Sequence, residues 1–174
     1  FSNMNFAAAA KLAGYEEPTD FMCELLCDED GKVGIILLSM DPKDVDTIAR
    51  LPWSMIISDS LYGISDCPYP RLYGSFPKVL RDFVRERGVL TLPQAIHKMT
   101  AMPAARLGLN DRGVIEVGRK ADIAVFDPAS IADHATYDNP KQLCTGLRAT
   151  LINGKIAVEN DTLRRRDCGI TIKK

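Results

Sequence analysis

The sequence predicts an α/β fold in which a parallel βαβ unit comes first and a small β-rich unit second. Two continuously apolar runs, VGIILLS at 33–39 and SMIIS at 54–58, have the pattern of strands buried on both faces. Between them lies a segment of about ten residues with strong helix punctuation, so the three together read as strand, helix, strand with a right-handed crossover. From about residue 109 the texture changes to short β stretches separated by glycine and by Asn153-Gly154.

Residues 3–13 read as a helix stopped by Gly14, which suits the left-handed position after a helix end. A second helix follows Thr19, with Phe21, Met22, Leu25 and Leu26 at helical spacing, and DEDG at 28–31 is a turn. Asp41 as cap, Pro42 in the first position and Asp44 in the first turn open a third helix, which Leu51-Pro52 ends. After a long loop, 59–74, Ser75 and Pro77 open a helix running to Gly88. Thr91 and Gln94 form a capping-box pair for the next helix, and Pro103 restarts a short one closed by Gly108. GVIEVGRKADIAVFDP then offers two β stretches around Gly118, LRATLINGKIAVEND a hairpin, and the tail CGITIKK a further strand.

Two parallel strands leave edges that need partners. The chain also begins at Phe1, without methionine and within a helical pattern. Both features predict a fragment, or completion by another chain through dimerisation or swapping at 33–39.

The 174 residues carry 22 basic and 23 acidic side chains, a formal net charge of −1. That balance points away from a nucleic-acid partner, and the RRR at 164–166 reads as a solvated loop. No apolar run approaches the roughly 20 residues that span a bilayer, and no signal peptide is evident. Five scattered cysteines, with no C-x-x-C pair, suit thiols kept reduced in the cytoplasm. With only His97 and His134, a metal site built wholly from this chain is poorly supplied.

Ligand sites in α/β folds lie beyond the carboxyl ends of the strands. Asp59 follows such an end. It can ligate a metal, take a proton from a metal-bound water, or simply cap a turn, and position alone does not choose. Asp66, deeper in the loop, reads as a solvated turn residue. Arg71 stands among Tyr69, Leu72 and Tyr73 in DCPYPRLYGSFP, a loop stiffened by proline. Its planar fork suits a carboxylate, whether that of a ligand or that of a neighbouring acid. His97 reads as a packing or capping residue on its helix, and His134 as a surface residue.

Three segments resemble one family. MIISDS is similar to the eighth barrel strand of the amidohydrolase superfamily, with its catalytic aspartate at Asp59. PRLYGSFPKVLRDFVRERGVLTLPQAIHKMTAMPAARLGL resembles the block after that strand in N-acyl-D-amino-acid deacylases (the D-aminoacylase family). DRGVIEVGRKADIAVFDP with ATLINGKIAV is similar to the superfamily's β-rich composite domain.

The resemblance implies the C-terminal portion of a TIM-type (β/α)8 barrel over 1–108, followed by part of the composite domain over 109–174. It further implies metal-dependent hydrolysis of the amide of a small N-acyl-D-amino acid. In that family zinc activates water. Asp59 would be the general base and able to touch a metal, and Arg71 the clamp for the substrate carboxylate. The chain departs from the family in having Ser60 where glycine is common, and LYGISDCPY in place of a histidine-containing loop. The family's metal-binding histidines and cysteine lie upstream, so this chain alone is expected to bind no catalytic zinc and to hydrolyse nothing. Two rival readings are an amidohydrolase of a cyclic amide or dipeptide, and a non-catalytic structural or oligomerisation module.

Overall fold

A computed structural model of the chain describes residues 4–62 and 67–172. Helices occupy the first part of the chain and an antiparallel sheet the last.

Helix α1, Phe6–Leu12, begins at Asn5, whose side-chain oxygen accepts from the amides of Ala7 and Ala8. Gly14, at φ +89°, ends it, and the Tyr15 amide returns to the Ala10 carbonyl at 3.0 Å. Helix α2, Pro18–Asp28, starts ahead of Thr19 because Pro18 takes the first position. Ala9, Ala10 and Phe21 bury the contact between the two helices, with the Phe6 and Phe21 ring centroids 5.5 Å apart. Cys23 and Cys27 are exposed on α2.

Helix α3, Pro42–Arg50, is capped as expected: the Asp41 carboxylate accepts from the Lys43 amide at 2.8 Å. The flanking strands are not there. No helix or strand forms over 33–39 or 54–58. Leu37 and Leu38 are 73% and 77% exposed, the opposite of a strand buried on both faces. The physical reason lies at 54–58. The Ile56 amide donates to the Lys98 carbonyl at 3.1 Å, and the Lys98 ammonium, itself buried, donates to the carbonyls of Leu51 and Ser54 and to the Ser54 hydroxyl. A helix end therefore holds the segment that would have paired with 33–39. No parallel ladder forms among the described residues.

Helix α4, Arg71–Lys78, opens four residues before the expected start at Ser75 and holds Pro77 in its interior. Pro77 has no amide to bond the preceding turn. The helix then continues with a wider, π-helical winding over Val79–Glu86. Helix α5, Leu92–Met99, carries the predicted capping box of Thr91 and Gln94, and α6 spans Ala101–Arg106. Ala49 of α3, Val79, Val89, Leu90 and Ala95 of α5 form a second buried cluster, with Ile56 and Phe83 packed on it. Arg87 ties its rim, with Nη1 2.7 Å from Asp46 of α3.

Strands β1 (Ile123–Phe126), β2 (Leu147–Ile152), β3 (Lys155–Glu159) and β4 (Thr162–Leu163) form one antiparallel sheet in chain order. Asn153 and Gly154, at φ +49° and +76°, make the expected tight turn between β2 and β3. The stretch 114–117 before Gly118 is not a strand. Ile115 and Val117 are almost fully exposed there, and a turn closes from Glu116 to Arg119. Nor does the tail add a strand as far as residue 172. No helix among the described residues is long and apolar enough to cross a membrane.

Candidate active site

Ile56, anchored on Lys98, directs the next residues out of the helical cluster, and the segment reaches Asp59 in the left-handed region at φ +46°. That conformation is uncommon for a residue with a Cβ, and aspartate is among the few that tolerate it. The Asp59 side chain is 75% exposed, and its Oδ2 lies 3.2 Å from Nη2 of Arg71. Arg71 is the first residue of α4, the positive end of the helix, where a cation is unfavourable without a counter-ion. Asp59 is that counter-ion. At such exposure the pair contributes no more than about 1 kcal/mol.

Arg71 has a second contact: its guanidinium carbon stands 4.7 Å from the centroid of the Tyr69 ring. The Tyr69 hydroxyl shares a 2.9 Å hydrogen bond with the hydroxyl of Tyr137, and the two rings meet edge to face with centroids 5.4 Å apart. That hydrogen bond, with a smaller effect of burial, pushes the Tyr137 phenol up to about 12, so the Tyr137 hydroxyl stays protonated near neutrality.

Tyr69, Arg71, Lys78 and Tyr137 line a cleft of about 320 Å³ with Ile56 and Ile57 on its apolar side. Asp133, 6% exposed, closes one wall. Arg81 Nη1 lies 3.1 Å from its Oδ1 but donates to the Asp133 backbone carbonyl, so the carboxylate oxygen gains charge and no aligned hydrogen bond. Gly74 lets α4 approach this wall: a Cβ there would lie 3.1 Å from that of Asp133.

The two residues singled out by sequence are therefore adjacent. Asp66 lies outside the described residues. His97 is exposed on α5, and His134 is exposed with its Nε2 2.8 Å from the Thr145 hydroxyl. Among the described residues no three His, Cys, Asp or Glu side chains gather to hold a metal. Asp59 faces a cation rather than further ligands. The donor set described does not fit a zinc site by itself.

The profile of the amidohydrolase family matches residues 21–158. The chain belongs to the amidohydrolase family. The N-acyl-D-aspartate deacylase of Alcaligenes xylosoxydans xylosoxydans is 40% identical over 153 residues, which are 82% of this chain and 30% of that protein. A crystal structure of D-aminoacylase superposes with a TM-score of 0.82 at 34% identity, covering 94% of this chain and 33% of the other. The N-acyl-D-glutamate deacylase of Bordetella bronchiseptica, crystallised with zinc and a phosphonate mimic of the tetrahedral intermediate, matches with a TM-score of 0.66 at 43% identity, over 68% of this chain and 25% of that one. This amidohydrolase chain thus spans about a third of the length of the relatives it matches. It is similar to proteins that deacylate N-acyl-D-amino acids, and its fold is that of the matching part of D-aminoacylase.

Sequence reasoning missed Tyr137 and Asp133. Asp133 and Tyr137 reach the cleft from far along the chain, and no local pattern marks them. Tyr69 stood visibly beside Arg71, flanked by Pro68 and Pro70, but its ring gained a role only with Tyr137 behind it.

Proposed function

We propose that this chain is a C-terminal portion of an N-acyl-D-amino-acid deacylase, with residues 1–108 contributing to its catalytic barrel and 109–174 to its composite domain. Such an enzyme cleaves the amide between an acyl group and a D-amino acid, with zinc supplying Lewis-acid chemistry. The described residues do not make that metal site, so its ligands would come from elsewhere in the protein, and Asp59 could touch a metal only beside them. Asp59 acts as general base, taking a proton from the attacking water and returning it to the departing nitrogen. Arg71 holds the substrate carboxylate through its fork of donors. Tyr69, Tyr137 and the apolar Ile56 and Ile57 shape the adjoining cleft.

The observation that carries this reading is the 3.2 Å approach of Asp59, a base candidate, to Arg71, a carboxylate-binding candidate that lines the cleft. The substrate is a small molecule. Identity of 40% to an N-acyl-D-aspartate deacylase and 44% to an N-acyl-D-glutamate deacylase supports the N-acyl-D-amino acid class.

The test is kinetic, on the zinc-loaded full-length protein with N-acetyl-D-amino acids and their L enantiomers. D-specific turnover is expected. Asp59→Asn should lower kcat by roughly 100- to 10,000-fold with KM little changed. Arg71→Ala should raise KM roughly 10- to 100-fold. Equal turnover of both enantiomers, or full activity in Asp59→Asn, would defeat the proposal. The present chain alone, given zinc and the same substrates, should show no turnover.

A further inference from the structure

We infer that Tyr69, braced by Tyr137, is the positioning residue for Arg71. The inference rests on the reading of Arg71 as carboxylate anchor. Arginine side chains carry large rotamer entropy, and an anchor is effective only when its fork already points at the ligand. The pair with Asp59 cannot supply that order during binding, because an incoming carboxylate competes for the same nitrogens. The Tyr69 ring can. It meets the guanidinium by its face, at 4.7 Å, and leaves the in-plane N–H donors available.

A ring on a loop is itself a poor platform, and three features fix this one. Pro68 and Pro70 restrict the backbone on either side of Tyr69. The Tyr137 hydroxyl holds the Tyr69 hydroxyl at 2.9 Å, and the two rings meet edge to face at an interplanar angle of 83°. Tyr137 is held in turn by a tight turn, in which the Thr136 amide donates to the Asn139 carbonyl at 3.2 Å and the Asn139 amide to the Thr136 hydroxyl at 3.0 Å. The segment is pinned to the sheet-bearing part by the paired backbones of Ala132 and Thr145. Arg71, Tyr69 and Tyr137 therefore form a chain of contacts that carries order from the region around the sheet to the cleft.

The experiment observes the Arg71 Nε–Hε resonance by 15N NMR in the full-length protein without substrate, so that the readout is independent of activity. In the wild type the proton is shifted upfield by the ring and the group is ordered. Tyr69→Leu abolishes the shift and makes the group mobile. Tyr137→Phe, which removes one hydroxyl, keeps the ring and increases mobility, and it serves alone should Tyr69→Leu not fold. In kinetics, Tyr69→Leu raises KM for an N-acetyl-D-amino acid about two- to fivefold, leaves KM for the matching carboxamide unchanged, and adds nothing in an Arg71→Ala background. A resonance indifferent to both substitutions, or a KM rise that persists in the Arg71→Ala background, overturns the inference. If Arg71→Ala leaves KM unchanged while the resonance still responds, the positioning stands and the anchor reading fails.

Discussion

Single side chains set the geometry near Asp59, and Lys98 shows how. Its ammonium is buried at 5% exposure and donates to neutral oxygens of Leu51 and Ser54. Lys98→Met keeps the apolar stem and removes the donor, leaving acceptors unsatisfied. It should cost about 1.5–3 kcal/mol in urea denaturation, and a loss below about 0.5 kcal/mol would show that these bonds are net neutral. Asp127 offers a pH-dependent counterpart. Its carboxylate accepts from the Ala129 amide and the Ser130 hydroxyl, both at 2.9 Å, and the amide bond most strongly holds its pKa below the ordinary 3.8. A depressed folded-state value stabilises the fold above the unfolded pKa, and the stabilisation is lost as pH falls through the folded one. Asp127→Asn mimics the protonated form. The melting-temperature gap between wild type and variant should hold from pH 7 to about 5 and narrow as the pH falls below the ordinary aspartate value of about 3.9. A gap of constant size across that range would contradict the assignment.

At the scale of elements, the β2–β3 hairpin and the segment beneath it make different demands on glycine. Gly154 has a left-handed φ of +76° and room around it, so Gly154→Ala should cost only the backbone term, about 1–2 kcal/mol. Gly146 combines φ +91° with a would-be Cβ 2.6 Å from the Ile131 Cα, backbone that cannot swing aside. Gly146→Ala should cost more than about 3 kcal/mol and lower soluble yield. Similar thermal stabilities for the two variants would refute the distinction. Elements whose signals are local were legible in sequence. The Asp41 cap, the Thr91–Gln94 box and the Asn153-Gly154 turn each lie within a few residues and occur where expected. The runs at 33–39 and 54–58 were not, because burial on two faces depends on distant partners, and Lys98 had already claimed the backbone around Ile56. Pro77 misled in the other direction: it was read as a helix opener and stands inside one. In the candidate site, Asp59 and Arg71 could be picked out from strand-end position and resemblance, whereas Tyr137 could not.

For the whole molecule, surface area is the informative quantity. A folded monomer of 19.2 kDa is expected to expose about 8,400 Å². This chain exposes 12368 Å², about half as much again. Part of the excess is apolar and contiguous in sequence, with Ile35, Leu37, Leu38 and Met40 all at least 65% exposed. Such a surface favours association. Produced alone at micromolar concentration, the chain should elute in light-scattering chromatography with a mass above that of the monomer, and Leu38→Lys should shift it towards 19.2 kDa. A compact wild-type monomer would argue that the run folds back in solution.

The contact between Asp59 and Arg71 also makes the site its own competitor. Any carboxylate that enters to meet the guanidinium must evict or share with one already tethered there. Because the internal pair is so exposed, eviction costs less than about tenfold in affinity. A neutral ligand, in contrast, leaves Asp59 engaged. On the roles proposed for the two residues, occupancy of the arginine by a substrate carboxylate and release of the acid would be a single exchange, so a molecule lacking that carboxylate would meet a proposed base that is still held.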